Sequence, residues 1–555
     1  MKTTFQYDHY IKYDELKSEL EYFEKTYPSL CKLEVNMVTQ EGRNQYAAIL
    51  NNEKTGAPLT KPGFYLDGNI HAGEVTATMT AMHTLDYLLT NYGKDKECTW
   101  ILDHLCIYVI PRVTPDGAEK YLTTPYSLRS APRSYCYEKG GIRQEDLDHD
   151  GVVRMMRIPS KYGAWKIDQD GKMTFRFPSD VEGTFYDVYP EGIFNDYEGS
   201  ENLKREKAEW GLDFNRNFPL GWFDEARQPG AGPYPLSNPE NKAIVDFVLA
   251  HPNIGGAAIG HTSGGLLLYP PGTRPSKSAS SLDIENFRKI ADMGAEELGY
   301  KPMNIFDSFM RDQEHYDSGA LDDWFYQSQG VPAYTMEFWD VSTKAGVPMV
   351  YGKEEDKKEG LKRFYAVWKW AQENAPEYCM DWKEFDHPVF GKVEIGGMDF
   401  KHIVQNPPEK FLETECMHDT KFNLRFMKAL PYLSVDSLSS KDMGNGLFKV
   451  TAMIGNEGFL PTNLSDEAVA LKKARPVTAE LKGAELLSGK ACEELGNLDG
   501  YSATQTGSFY GNLTTFANGK ARKKVEWLVK GMPGDTLTLT VKSEKAGTVE
   551  KTLVL

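Results

Sequence analysis

The sequence predicts an α/β domain built on a mixed sheet, followed by a smaller all-β sandwich. Three observations carry that expectation. Short apolar runs alternate with helical periodicity over residues 1–384; a polar stretch rich in Gly and aromatics interrupts them at about 122–210; and from residue 431 the apolar period becomes two.

Tyr13 to Tyr27 sets Leu16, Leu20, Tyr22 and Phe23 close to one helical face, and Pro28 stops it. Tyr46 to Leu50 and Phe64 to Leu66 read as strands, and Leu66-Asp67-Gly68-Asn69-Ile70 as a strand end turning into a loop. From Glu74 the run through Val75, Met79, Met82, Leu85, Leu88 and Leu89 suits a buried helix. Cys106 to Ile110 is a short apolar strand ending at Pro111. The stretch 122–210 is too long for a structureless loop and is expected to be an insertion with structure of its own. Periodicity returns at Ile244 to Leu249, Gly255 to Ile259 and Leu361 to Trp370. Residues 385–430 read as a connecting segment. Beyond them Leu447 to Ile454, Lys524 to Val529 and Leu537 to Val541 alternate between Gly, Asn and Pro turns, as in a β-sandwich over 431–555.

Composition removes several function classes. Eighty acidic against 63 basic residues leave a formal charge of −17 over 555 residues, a field that repels nucleic-acid phosphates and anionic lipid. No apolar run approaches the roughly 20 residues of a membrane span. Seven scattered cysteines, odd in number and without CxxC pairs, fit a reducing compartment better than a disulfide framework. With no apolar leader at residue 1, a cytoplasmic location is expected if that N-terminus is native, and a secreted one if a signal peptide has been removed.

The chemistry-bearing pattern starts at His71-Ala72-Gly73-Glu74. A strand–loop–helix junction there can aim an imidazole and a carboxylate at one point, and zinc accepts both. His261 ends the apolar run Gly255 to Gly260, at the carboxyl end of a strand, where open α/β sheets place their sites. Two His and one Glu leave a fourth zinc position open for water.

In chain order His71 and Glu74 are followed by Thr114-Pro115-Asp116-Gly117, Asp213-Phe214-Asn215-Arg216-Asn217-Phe218, His261, Ser318-Gly319 with Asp323-Trp324, and Tyr334-Thr335-Met336-Glu337. The series resembles zinc metallocarboxypeptidases of the carboxypeptidase A type. The resemblance implies a peptidase fold with one zinc on His71, Glu74 and His261, and Glu337 as general base. It implies further that Asn215 and Arg216 grip the terminal carboxylate of a peptide or small amide substrate, and that another arginine, Arg129 or Arg133, stabilises the oxyanion. At the family's substrate-contacting tyrosine this chain has His315, with Tyr316 beside it. Gapless counting puts Asp322 at the base of the side-chain pocket, implying a preference for basic C-terminal residues; a helix cap is the other reading of Asp322. The peptidase-like segments begin almost at residue 1, which leaves no expected pro-segment. The β domain resembles accessory sandwiches of other carboxypeptidases. Two other functions remain compatible: a zinc amidase or deacylase acting on cell-wall stem peptides or acyl amino acids, and a non-catalytic binding protein on the same fold.

Asp146-Leu147-Asp148-His149-Asp150-Gly151 has acids at alternate positions before a Gly, as in the first half of a calcium loop, but the twelfth position is Arg157 rather than Glu. Calcium at Asp146, Asp148 and Asp150 is set against a solvated acidic turn.

Overall fold

The computed structural model describes residues 6–199 and 202–555; the start of the N-terminus read for a leader lies outside them. The first domain is organised by an eight-stranded mixed sheet. In chain order its strands are β1 (Cys31–Val38), β2 (Asn44–Leu50), β3 (Gly63–Gly68), β4 (Cys106–Ile110), β5 (Ile254–Thr262), β6 (Leu266–Tyr269), β7 (Lys301–Asn304) and β8 (Ala333–Phe338). Their spatial order is β1-β2-β4-β3-β5-β8-β6-β7. The central four, β4, β3, β5 and β8, run parallel, and the flanks are joined antiparallel. Parallel strands covered on both faces become continuous apolar runs, and β3, β4 and β5 are buried at every position.

The helices packed around the sheet or beside it include α1 (Tyr13–Thr26), α2 (Val75–Asn91), α3 (Leu321–Gln329), α4 (Lys357–Asn374) and α5 (Glu409–Ala429). One face of the sheet is covered by α1, α2, α5 and the helix Ser281–Leu298, whose buried side chains include Leu16, Met82, Phe287 and Phe426. The other face packs against α3, Phe214, Phe218 and the helix Pro239–Ala250. Glycines in β5 let the helices approach closely. A Cβ on Gly256 would lie 3.0 Å from Leu430 and 3.1 Å from the Phe426 ring, and one on Gly260 would lie 2.9 Å from Ala77.

The insertion has structure of its own, and it recruits residues from further along the chain. Strands Met155–Pro159, Trp165–Ile167, Met173–Phe175 and Phe185–Pro190 join Cys379–His387 and Gly391–Met398 in a six-stranded sheet. Residues 385–430, expected as a connecting segment, carry regular structure of their own. Part of that segment pairs with the insertion, as Glu394 does opposite Arg157, and the rest is α5, which packs on α2. Gly391–Met398 forms a hairpin with Cys379–His387, but its other partner and that of α5 lie far away in sequence.

The C-terminal part is a sandwich of two four-stranded antiparallel sheets around Phe448, Val450, Trp527, Leu537 and Leu539. Lys545 Nζ donates to the carbonyls of Pro252 and Ile254, tying the sandwich to the start of β5. Among the described residues no helix is long and apolar enough to cross a membrane.

Candidate active site

The site forms where β3, β5 and β8 end. After β3, Asn69 takes a positive φ of 65° and donates from Nδ2 to the His71 carbonyl at 2.7 Å, folding the chain back before α2. Glu74 stands at the helix N-terminus. His71 Nδ1 lies 2.8 Å from Glu74 Oε1, and His261 Nδ1, from β5, lies 2.9 Å from Glu74 Oε2. All three residues are at most 3% exposed, with ligand atoms within 4.8 Å of one another.

Electrostatics make this a cation-seeking spot. Burial alone would raise the Glu74 carboxyl, but His71 and His261 outweigh it and hold it well below the usual carboxylate range. Burial opposes protonation of His261, yet Glu74, with Glu337 and Asp67 further off, pushes that imidazole up to about 9. Two imidazole nitrogens and one carboxylate converging in a buried place are a donor set that suits zinc, and the buried His261 Nε2 has no hydrogen-bond partner among the described residues.

Around the three, Asp213 Oδ1 meets His71 Nε2 at 3.0 Å, and its other oxygen accepts from Arg129 Nε at 2.8 Å. Arg129 also brings Nη1 within 3.5 Å of Glu74. Arg133 lies elsewhere: it forks onto the buried Glu240 at 2.7 and 3.0 Å and covers the Phe214 ring. Glu337 is level with His261 across the parallel β5–β8 pair. Burial pushes its carboxyl up to about 7; His261 and Arg129 work against that rise, and Glu74 and Asp322 add to it.

Asn215 Oδ1 accepts from the Leu321 backbone N–H, capping α3 across the site, so that helix does not take its cap from Asp322. Asp322 is buried in the first turn and accepts from Thr335 Oγ1 at 2.8 Å. Arg216 donates from Nη2 to Asp317 at 2.9 Å. His315 and Tyr316 do not join the cluster. His315 is exposed and pairs with Asp312, while Tyr316 packs among Phe223, Phe306 and Arg227.

Sequence comparison agrees with this geometry. Residues 16–352 match a family model described as zinc carboxypeptidase. The chain belongs to the zinc carboxypeptidase family. Residues 432–554 match a second model, a domain of unknown function. Among curated relatives, mouse carboxypeptidase A4 is 22% identical over 342 residues, 60% of this chain and 64% of that protein. Mouse carboxypeptidase M is 27% identical over 21% of this chain and 25% of its own length. The inactive metallocarboxypeptidase ECM14 of Saccharomyces cerevisiae is 34% identical over 20% of this chain and 26% of its own. The chain thus spans about a quarter of carboxypeptidase M. Among solved structures, thrombin activatable fibrinolysis inhibitor aligns with a TM-score of 0.46 at 17% identity, over 76% of this chain and 75% of that one. Carboxypeptidase A from Helicoverpa armigera gives 0.40 at 15%, over 66% and 72%.

In this member of the family Asp213, Tyr351 and Asp317 stand near the site without having been singled out by any sequence motif. Asp213 lies inside the block quoted for Asn215 and Arg216, so its signal was present. Tyr351 donates to the Gly264 carbonyl at 3.0 Å, three residues beyond His261, and no motif flagged it. The acidic loop differs from its expectation. Asp146 and Asp148 gather with Glu191, while Asp150 turns away to Arg154 at 2.9 Å. Glu191 already accepts from the backbone of Leu147, Asp148 and Arg154, and the comparisons give calcium no support.

Proposed function

We propose that the chain is a zinc-dependent carboxypeptidase that releases the C-terminal residue of peptides, with a preference for Lys or Arg there. One arrangement supports the reading: His71, Glu74 and His261 gather in one buried cluster, Glu337 stands level with His261 across the β5–β8 pair, and Arg129 lies beside Glu74. His71, Glu74 and His261 would hold the metal. Zinc bound there supplies a Lewis acid that polarises a substrate carbonyl and acidifies a nearby water.

The remaining steps belong to the protein's side chains. Glu337, with its carboxyl raised to about 7, is suited to accept a proton from the attacking water and return it to the leaving amine near neutral pH. Arg129, fixed by Asp213, presents a guanidinium to the oxyanion. Arg216 offers a planar fork to the substrate's terminal carboxylate, with Asn215 next to it. Asp322 supports the basic preference: its carboxylate is buried with neutral donors only, Thr335 Oγ1 and the Asp323 N–H, so a cationic side chain would complete it.

The test is release of C-terminal residues from matched peptides ending in Arg, Lys or Phe, with and without chelator. Chelation should abolish release, and Glu337→Gln should lower kcat by about 10²–10⁴ with zinc content retained. Chelator-insensitive release, or full activity of that variant, would sink the mechanism. Equal cleavage of Phe and Arg peptides, unaltered by Asp322→Ala, would remove the basic preference alone.

A further inference from the structure

Arg216 does not await a ligand with its fork unpaired. Nη1 donates to the Asn215 carbonyl and Nη2 to Asp317 Oδ2, both at 2.9 Å. Asp317 is delivered there by a fixed piece of backbone. Ser318, fully buried, rests its hydroxyl on the carbonyls of Leu220 and Gly221, and Gln228 brackets its backbone at 2.8 and 2.9 Å. Gly319 follows with a φ of 74°, and a Cβ there would lie 2.5 Å from the Arg216 carbonyl oxygen. The loop is thus pressed against Arg216 by backbone packing, independent of the ion pair. Only the Asp317 side chain, 49% exposed, is at liberty to leave.

We propose that Asp317 is a specificity-determining residue that competes with a ligand's terminal carboxylate for the Arg216 guanidinium. The inference rests on the reading of Arg216 as the carboxylate clamp. Two carboxylates cannot share one face of a guanidinium without repelling, so a free-acid ligand must turn Asp317 out toward solvent, whereas a neutral terminus leaves it seated. Asp317 thereby sets how strongly the site distinguishes a free acid from its amide.

The experiment is calorimetric titration of the metal-free full chain with N-acetyl-L-lysine, N-acetyl-L-phenylalanine and their amides, for the natural protein, Asp317→Asn and Asp317→Ala. A half-exposed pair of this kind is worth about fivefold in affinity. Both variants should therefore bind the free acids about fivefold more tightly, with the amides shifted by less than about twofold. In the zinc-loaded enzyme KM for free-acid peptides should fall in step, with KM rather than kcat carrying the change. Unchanged free-acid affinity overturns the proposal, and weaker affinity does so too, because it would make Asp317 a support that orients Arg216. Arg216→Gln tests the clamp by itself and should erase the preference for acid over amide. Tightened free-acid binding without any peptide hydrolysis would leave the Asp317 inference standing and remove the peptidase reading.

Discussion

Asp213 holds His71 from behind: its Oδ1 meets ring Nε2 at 3.0 Å, while ring Nδ1 faces Glu74 at 2.8 Å. A carboxylate on the far nitrogen of a ligating imidazole fixes its tautomer and raises its basicity, and such partners are worth about 10–100-fold in metal affinity. Asp213→Asn should weaken zinc binding by that factor, measured by competition with a chromogenic chelator, with circular dichroism unchanged. Undiminished affinity would mean that Asp213 serves Arg129 and not the metal.

The two arginines that the sequence left open have separable roles. Arg129→Gln removes a cation beside Glu74 and Asp213, and kcat should fall about 10²–10³-fold with little loss of folding stability. Arg133→Gln strips the fork from Glu240, which is 1% exposed, and should cost about 3 kcal/mol of stability in urea unfolding while kcat holds. Reversed outcomes would exchange the two assignments.

Asp419 is wholly buried on α5 facing α2, and burial pushes its carboxyl up to about 7 although Asn423 Nδ2 donates to it and Thr80 lies close by. Since the folded value lies above the unfolded one near 3.8, its contribution is fully present below about pH 4 and is lost as pH rises through 7. Asp419→Asn cannot ionise. Its stability relative to the natural protein should therefore climb between pH 4 and 8, by on the order of 4 kcal/mol. Paired denaturant titrations across that range read the difference; a flat line would show that Asp419 does not change charge there.

Phe426, on α5, meets the rings of Phe64 on β3 and Tyr334 on β8 edge-on, each at 5.1 Å. Truncation to Ala in a core this tight should cost about 3–5 kcal/mol. A loss under about 1 kcal/mol in thermal or urea unfolding would mean that the helix only lies over a core already complete.

What the sequence made legible was local. The strand–loop–helix around His71 and Glu74, and the glycine-rich strand ending at His261, announce themselves because period and turn chemistry act over a few residues. What stayed hidden depends on partners far along the chain. Arg129 and Arg133 are equivalent in sequence until Asp213 and Glu240 choose between them, and those partners lie 84 and 107 positions away. Val393 and Ile395 looked like a linker because the strand they pair with, Met155–Pro159, is more than 200 residues upstream. Asp317 was one more loop acid until Gly319 pressed it onto Arg216.

Helix α5 has a consequence for how the molecule is made. The family match ends at residue 352, yet α5, over Glu409–Ala429, shares the cover of one face of the sheet with α1, α2 and the helix Ser281–Leu298. Its bonds to α2, and those of the turn before it, join residues more than 300 positions apart, among them Thr76 with Asn406 and Thr84 with Thr420. During synthesis all eight strands therefore leave the ribosome before this last part of their cover exists. Until Leu430 has emerged, a broad apolar surface faces water or chaperones, and the last contacts to form are those of longest reach. The last piece of this face to arrive is a helix that carries none of the residues named for the site.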